Sequence, residues 1–157
     1  MKKTQPLRKV KKNQIHRQGF TLIEVLVAIT ILTIGLLAVA KMQVSAIQGN
    51  YFSNNTTTAL TLAEQKMEDL LGRDYATDAD LVDTQAGNNT NLLSLVTKDH
   101  EELNVNEEGV AGSGIYHRVW NVADNTPITD TKTITIIVTW TKGNNTHRVH
   151  LSCIKRL

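Results

Sequence analysis

The stretch RQGFTLIEVLVAITILTIGLLAVAK, Arg17 to Lys41, decides how this chain is read. From Phe20 to Ala40 it is apolar or uncharged throughout except at Glu24. At about 1.5 Å of rise per residue this makes roughly 31 Å of helix, close to a hydrocarbon core of about 30 Å. Basic residues crowd in front of it and are sparse behind it. That asymmetry holds the N-terminus in the cytoplasm and sends the C-terminal body across the membrane.

The formal net charge of +2 hides this polarity. Seven of the seventeen Lys and Arg, namely Lys2, Lys3, Arg8, Lys9, Lys11, Lys12 and Arg17, precede Gly19. Without them ten basic groups face fifteen acidic ones, a net of −5. A folded body of that charge offers no electrostatic basis for binding nucleic acid, which calls for a basic patch or stripe. Cys153 is the single cysteine, so no intramolecular disulfide forms, and it reads as a small buried hydrophobe. The 157 residues accommodate one modest domain with an appendage.

Three readings compete for the apolar segment. A secretory signal peptide is supported by the small-x-small triplet Ala38 to Ala40, but the apolar run exceeds the usual 7 to 15 residues. A plain uncleaved anchor leaves Glu24 without a purpose, and a central acidic residue costs about 2.5 to 3.5 kcal/mol on insertion scales. Cleavage between Gly19 and Phe20 supplies a purpose. It creates an α-amine at Phe20 and makes Glu24 the fifth residue, about 6 Å deeper along a helix. A carboxylate and an amine from neighbouring chains then offset each other's desolvation, and the pair favours one axial stagger. Gly19, lacking a side chain, lets a protease approach the scissile backbone.

The motif GFTLIEVLVAI resembles the processing site of type IV prepilins, with a basic leader, Gly19 before the cut, Phe20 as first mature residue and Glu24 as the fifth. The resemblance implies a prepilin peptidase that cleaves after Gly19 and methylates the amine of Phe20. It implies that Glu24 guides docking into a growing filament. The leader of residues 1–19 is longer than many in that family.

Beyond Lys41 the apolar positions narrow to a stripe, Met42, Ala46, Phe52, Thr56, Leu60, Ala63, Met67 and Leu70, which predicts an amphipathic helix over 41–72. Glu64, Gln65, Glu68 and Asp69 take its opposite face, which reads as solvated surface before it reads as a lateral filament contact. Weak helix formers in GNYFSNN, Gly49 to Asn55, predict a bend or local melting. Gly35 invites the same reading, or a close helix contact. Residues 73–114, rich in Asp, Asn, Thr and Gly, read as a variable loop with a short helix or strand at Leu92 to Val96. Residues 115–157 read as antiparallel strands. Ile134, Ile136, Val138 and Trp140 alternate with threonines. KGNNT marks a hairpin, Val149, Leu151 and Cys153 alternate after it, and an earlier strand carries Tyr116, Trp120 and Val122. Strands against an amphipathic helix make an α+β domain.

This layout is similar to the pilin fold, in which a long N-terminal helix packs on a small antiparallel sheet. The series TLAEQKMEDLL, YHRVWNV, ITIIVTW and HRVHL looks like minor pilins of the PilV type, the type IV pilus modification proteins, and slightly less like a minor pseudopilin of type II secretion. The resemblance implies as partners the peptidase, other pilins or pseudopilins in a helical filament, an inner-membrane assembly platform, and lipid before assembly.

No catalytic constellation, metal-ligand set or cofactor motif is assigned. His147 and His150 are three apart on a strand and point to opposite faces. Asp78, Asp80 and Asp83 lack the alternate oxygen ligands, turn glycine and final Glu of a calcium loop. GVAGSG, Gly109 to Gly114, lacks the spacing and following helix of a phosphate cradle. Asp99, His100 and Glu101 are chain neighbours, as are Glu107 and Glu108, and adjacent side chains diverge. Trp120 and Trp140 read as core in preference to base-stacking platforms. The expectation is therefore a structural, non-enzymatic subunit held in the inner membrane, single-pass, with its body in the periplasm before it enters a pilus or pseudopilus. The rival from another class is an anchored or secreted periplasmic binding module or enzyme, which leaves Glu24 unexplained.

Overall fold

The computed structural model describes residues 19–85 and 90–156, so all of the leader but Gly19 lies outside the described residues. The chain divides into two compact units, residues 1–46 and Ile47–Leu157. One helix, α1, covers Leu22–Gly72 and contributes to both. Four strands follow, β1 at His100–Val105, β2 at Tyr116–Asp124, β3 at Thr131–Lys142 and β4 at Asn145–Arg156, with a short 3-10 turn at Ala79–Leu81.

In the first unit every described residue is exposed. Apolar side chains point in all directions around the helix, so burial within the chain is not what holds this segment helical. Its threonines make the local accommodations that apolar surroundings demand: Thr30 Oγ1 donates to the Val27 carbonyl at 2.8 Å and Thr33 Oγ1 to that of Ile29 at 2.7 Å.

The second unit is an α+β domain. Its antiparallel sheet has the order β1-β2-β3-β4, and α1 covers one face. Asn55, Ala59, Leu62, Ala63, Lys66, Met67 and Leu70 are the buried residues of α1. Ala59, Leu62, Ala63 and Leu70 meet Trp120, Val122, Ile134, Ile136, Val138 and Trp140 in the core. The sequence stripe is right from Ala63 onward and wrong before it. Phe52 and Leu60 are exposed, because the sheet accepts the face led by Asn55, Ala59 and Leu62. Helical hydrogen bonding runs through Gly49 to Asn55 without a break, where local melting was one expectation.

Four strands stand where the sequence supports three. β1 falls inside the segment read as a variable loop, while the apolar Leu92 to Val96 forms only turns. Ser94 explains this locally, since its Oγ accepts the N–H of Val96 at 3.2 Å and of Thr97 at 3.0 Å and so stabilises a turn against helix or strand. The same segment covers the far face of β2. Fully buried Asn121 donates to the carbonyls of Leu92 at 2.8 Å and Ser94 at 3.0 Å, and accepts from the Asp99 N–H at 3.1 Å. β2 and β3 are both buried on two faces over much of their length instead of one. Two glycines make the strand connections possible. A Cβ at Gly114 would lie 1.8 Å from the Val105 carbonyl oxygen, and Gly143 adopts a φ of 61° in the two-residue turn between β3 and β4.

Candidate functional site

The candidate processing and assembly residues lie at the start of α1. Gly19, Phe20 and Thr21 precede the helix in irregular backbone, and Phe20 is 83% exposed. A Cβ at Gly19 would meet nothing within 4 Å, so the fold itself does not demand glycine there. Thr21 caps the helix. The Glu24 N–H donates to the Thr21 carbonyl at 3.1 Å and to its Oγ1 at 3.3 Å, and the Val25 N–H donates to the same carbonyl at 3.3 Å. Thr21-x-x-Glu24 thus has the spacing of a capping box, and Glu24 occupies the first turn, where a carboxylate is favoured by the helix dipole. The sequence carried this signal, a threonine three residues before a glutamate ahead of an apolar run, and the reading of Glu24 passed over it.

Glu24 borders an open groove with Phe20, Val25, Ala28, Ile29 and Leu32. One carboxylate on an otherwise apolar helical surface is chemically suited to receive a cation from outside the chain. Gly35 also has open space around it, so its close-contact reading finds no neighbour within the described chain.

The second unit holds a polar network that sequence reasoning missed. Lys66, 6% exposed, sits on the buried face of α1 with Nζ 3.0 Å from Glu102 Oε1, 3.6 Å from Asp80 Oδ2 and 4.0 Å from the centroid of the Trp120 ring. Arg118 from β2 pairs with Glu102 through Nε at 2.8 Å and through Nη2, and its Nη1 donates to the Leu62 carbonyl at 3.1 Å. Arg73 bridges Asp69 at 2.8 Å, Asp78 at 3.3 Å and Asp80 at 2.8 Å. The Arg73 hydrogen bonds hold the Asp69 carboxyl below its usual range against a smaller opposing effect of burial. Burial pushes Glu102 up, but the bonds from Arg118 and Lys66 outweigh it and keep the group low. Lys155 from β4 donates to the carbonyls of Leu70 at 2.9 Å and Leu71 at 3.0 Å, and to that of Arg73, closing the C-terminal end of α1.

These contacts dispose of several groupings suggested by sequence. Asp78 and Asp80 face Arg73, not a cation site. Asp99 receives the N–H of Gln85 and Val122, each at 2.8 Å, while His100 stacks on Trp120 and Glu101 pairs with Lys98 and His117, so these three neighbours diverge. Trp120 and Trp140 are buried, and the Trp120 Nε1 donates to the Asp80 carbonyl at 2.9 Å. Cys153 is half-buried, and burial pushes its thiol up, away from reactivity.

Residues 15–40 match the family model of the prokaryotic N-terminal methylation motif. No curated protein and no solved structure matches the chain. The motif supports a type IV pilin-like or pseudopilin protein, a structural subunit more than an enzyme. It implies processing by prepilin peptidase, anchoring in a membrane and assembly with other pilins.

Proposed function

We propose that this chain is a minor type IV pilin. Prepilin peptidase cuts between Gly19 and Phe20 and methylates the Phe20 amine, and Glu24 receives the amine of a neighbouring subunit during assembly. Residues 20–40, helical from Leu22, then form the segment that sits first in the inner membrane and later in the filament core, with the C-terminal body in the periplasm before incorporation. Residues 41–72 supply the amphipathic helix of that body, 73–114 its variable region together with the edge strand β1, and 115–157 the other three strands of its sheet. The observation that carries this reading is the placement of Gly-Phe-Thr-x-x-Glu at the open start of a helix whose first 25 residues bury nothing in their own chain. A glycine the fold does not need and a carboxylate without a partner among the described residues both find a use in processing and assembly.

Exchange of lipid for neighbouring helices makes the mechanism feasible. Apolar surface is covered in both states, so extraction by an inner-membrane assembly platform does not expose it to water for long. A minor pseudopilin of type II secretion uses the same chemistry and is the second reading, supported by the same motif. An anchored or exported binding module or enzyme is separated by N-terminal sequencing of the mature protein. Phe20 as first residue supports the pilin reading, Lys41 a signal peptide, and an intact leader a plain anchor.

Glu24 has a local competitor for its role, the helix cap. Glu24→Ala and Glu24→Gln are both expected to leave leader removal intact and to impair incorporation into filaments. Glutamine serves a capping box about as well as glutamate but carries no charge. Normal incorporation of Glu24→Gln would assign the residue to the cap instead.

A further inference from the structure

The two edges of the sheet are built differently. β1 is six residues long, its register with β2 shifts between Glu102 and Val105, and Asn104 takes a φ of 54°. The carbonyls of Leu103 and Asn104 already accept from Gly112, Ser113 and Gly114, and His100 is tied to the Val82 carbonyl. Shortness, a bulge and covering loops are the usual protections of an edge. Among the described residues β4 lacks all of them. It pairs with β3 through twelve consecutive positions without a shift and contains no proline, and among the described residues no strand pairs with its other side.

The side chains of β4 indicate what would fit there. Val149, Leu151 and Cys153 pack on the core yet stay only partly buried, whereas Ile134, Ile136 and Val138 beside them on β3 are fully buried. A further strand would cover that row. On the opposite face Arg148, His150 and Arg156 are exposed, and β4 contains no acidic residue. Among the described residues neither Arg148 nor Arg156 has a carboxylate within ion-pair distance. Two copies of β4 set side by side would oppose like charges, which disfavours self-pairing.

We propose that β4 is a docking edge that takes up an extended acidic segment of a neighbouring protein subunit as a fifth strand. Backbone hydrogen bonds supply the affinity, and alternate residues of the incoming strand meet the half-open apolar row on one side and the arginines on the other. The inference rests on the filament reading only for the identity of the donor.

The test uses the full processed chain in detergent micelles and two synthetic probes, a peptide alternating Glu and Val and one alternating Lys and Val. The Glu-Val peptide is expected to bind about tenfold or more tightly than its Lys counterpart, to weaken with salt, and to slow hydrogen exchange at outward-facing amides of β4 while leaving β1 unchanged. Reversing the exposed charges with R148E and R156E is expected to invert the preference. The milder R148Q and R156Q pair is expected to abolish it while keeping the far-UV circular dichroism of the parent. No binding, equal binding of both peptides, or binding without protection of β4 would overturn the proposal. Peptide-free self-association that protects β4 would also overturn it and give the edge to a second copy. The N-terminal mass of the same preparation keeps the two readings apart. A chain that begins at Phe20 but ignores the acidic strand sinks only the edge. A chain that begins elsewhere and still binds it sinks only the filament.

Discussion

The two parts of α1 share one backbone conformation and answer to different surroundings. Up to Ala40 the helix is apolar or uncharged on all sides except at Glu24, and up to Ala46 it buries nothing within the chain; from Asn55 to Leu70 it is apolar along one stripe, and that stripe is sealed against a sheet. Helices hydrophobic all round belong to lipid or to a multi-chain core, and helices with one apolar face belong to a domain surface. The contrast places the stability of the second unit inside the chain and that of the first outside it.

The sharpest way to break this comparison is to remove a large side chain from each part. Trp120→Ala is expected to destabilise the second unit by about 3–5 kcal/mol, read as a lower thermal midpoint of the chain in micelles. Leu32→Ala is expected to leave that transition where it is. A shift with Leu32→Ala would show that the first part is stabilised by its own chain after all.

A smaller effect concerns the ion-paired network. Lys66→Ala removes the cation that Glu102 and Asp80 share and leaves them to Arg118 and Arg73 alone, and a loss of about 2–3 kcal/mol is expected in denaturant unfolding of the same domain. Lys66→Met, which keeps the packing over Trp120, separates the charge from the volume of the side chain.

Acid tests the same network without mutation. Asp69 and Glu102 have folded-state pKa values below their ordinary ones, so the stability they contribute is fully present above about pH 5. It is lost as pH falls through the depressed values. The thermal midpoint should therefore drop below about pH 5, and the helical signal of the first part should not follow it. The smallest effect expected is at the cap. Thr21→Val removes the hydroxyl that accepts the Glu24 N–H and is expected to cost about 1 kcal/mol locally. Faster hydrogen exchange at Glu24 and Val25, with no change in domain unfolding, is the measurement.

The N-terminal chemistry was legible because it is written in consecutive residues. Gly19, Phe20 and Glu24 lie within six consecutive residues, and a lone carboxylate in an apolar run stands out by its cost alone. The alternation of Ile134, Ile136, Val138 and Trp140 was legible for the same local reason. Lys66 was not, although it stands in the stripe between Ala63 and Met67, because a lysine on a helix ordinarily reads as surface. Its burial depends on Glu102, Arg118 and Trp120, which arrive from two strands far along the chain. β1 was hidden in a polar segment whose strand character comes from pairing with β2, and Leu92 to Val96 misled because Ser94 favours a turn.

Sequence by itself determined that a helix long enough to span a lipid core begins next to a Gly-Phe junction and carries one acid near its start, since length, polarity and spacing are properties of neighbouring residues. Tertiary structure alone decided which face of α1 is buried, where the fourth strand pairs, how Lys66 and Lys155 are satisfied and which sheet edge stays open. Those outcomes depend on groups distant in the chain competing for the same buried space and hydrogen bonds, and a linear pattern does not record who wins.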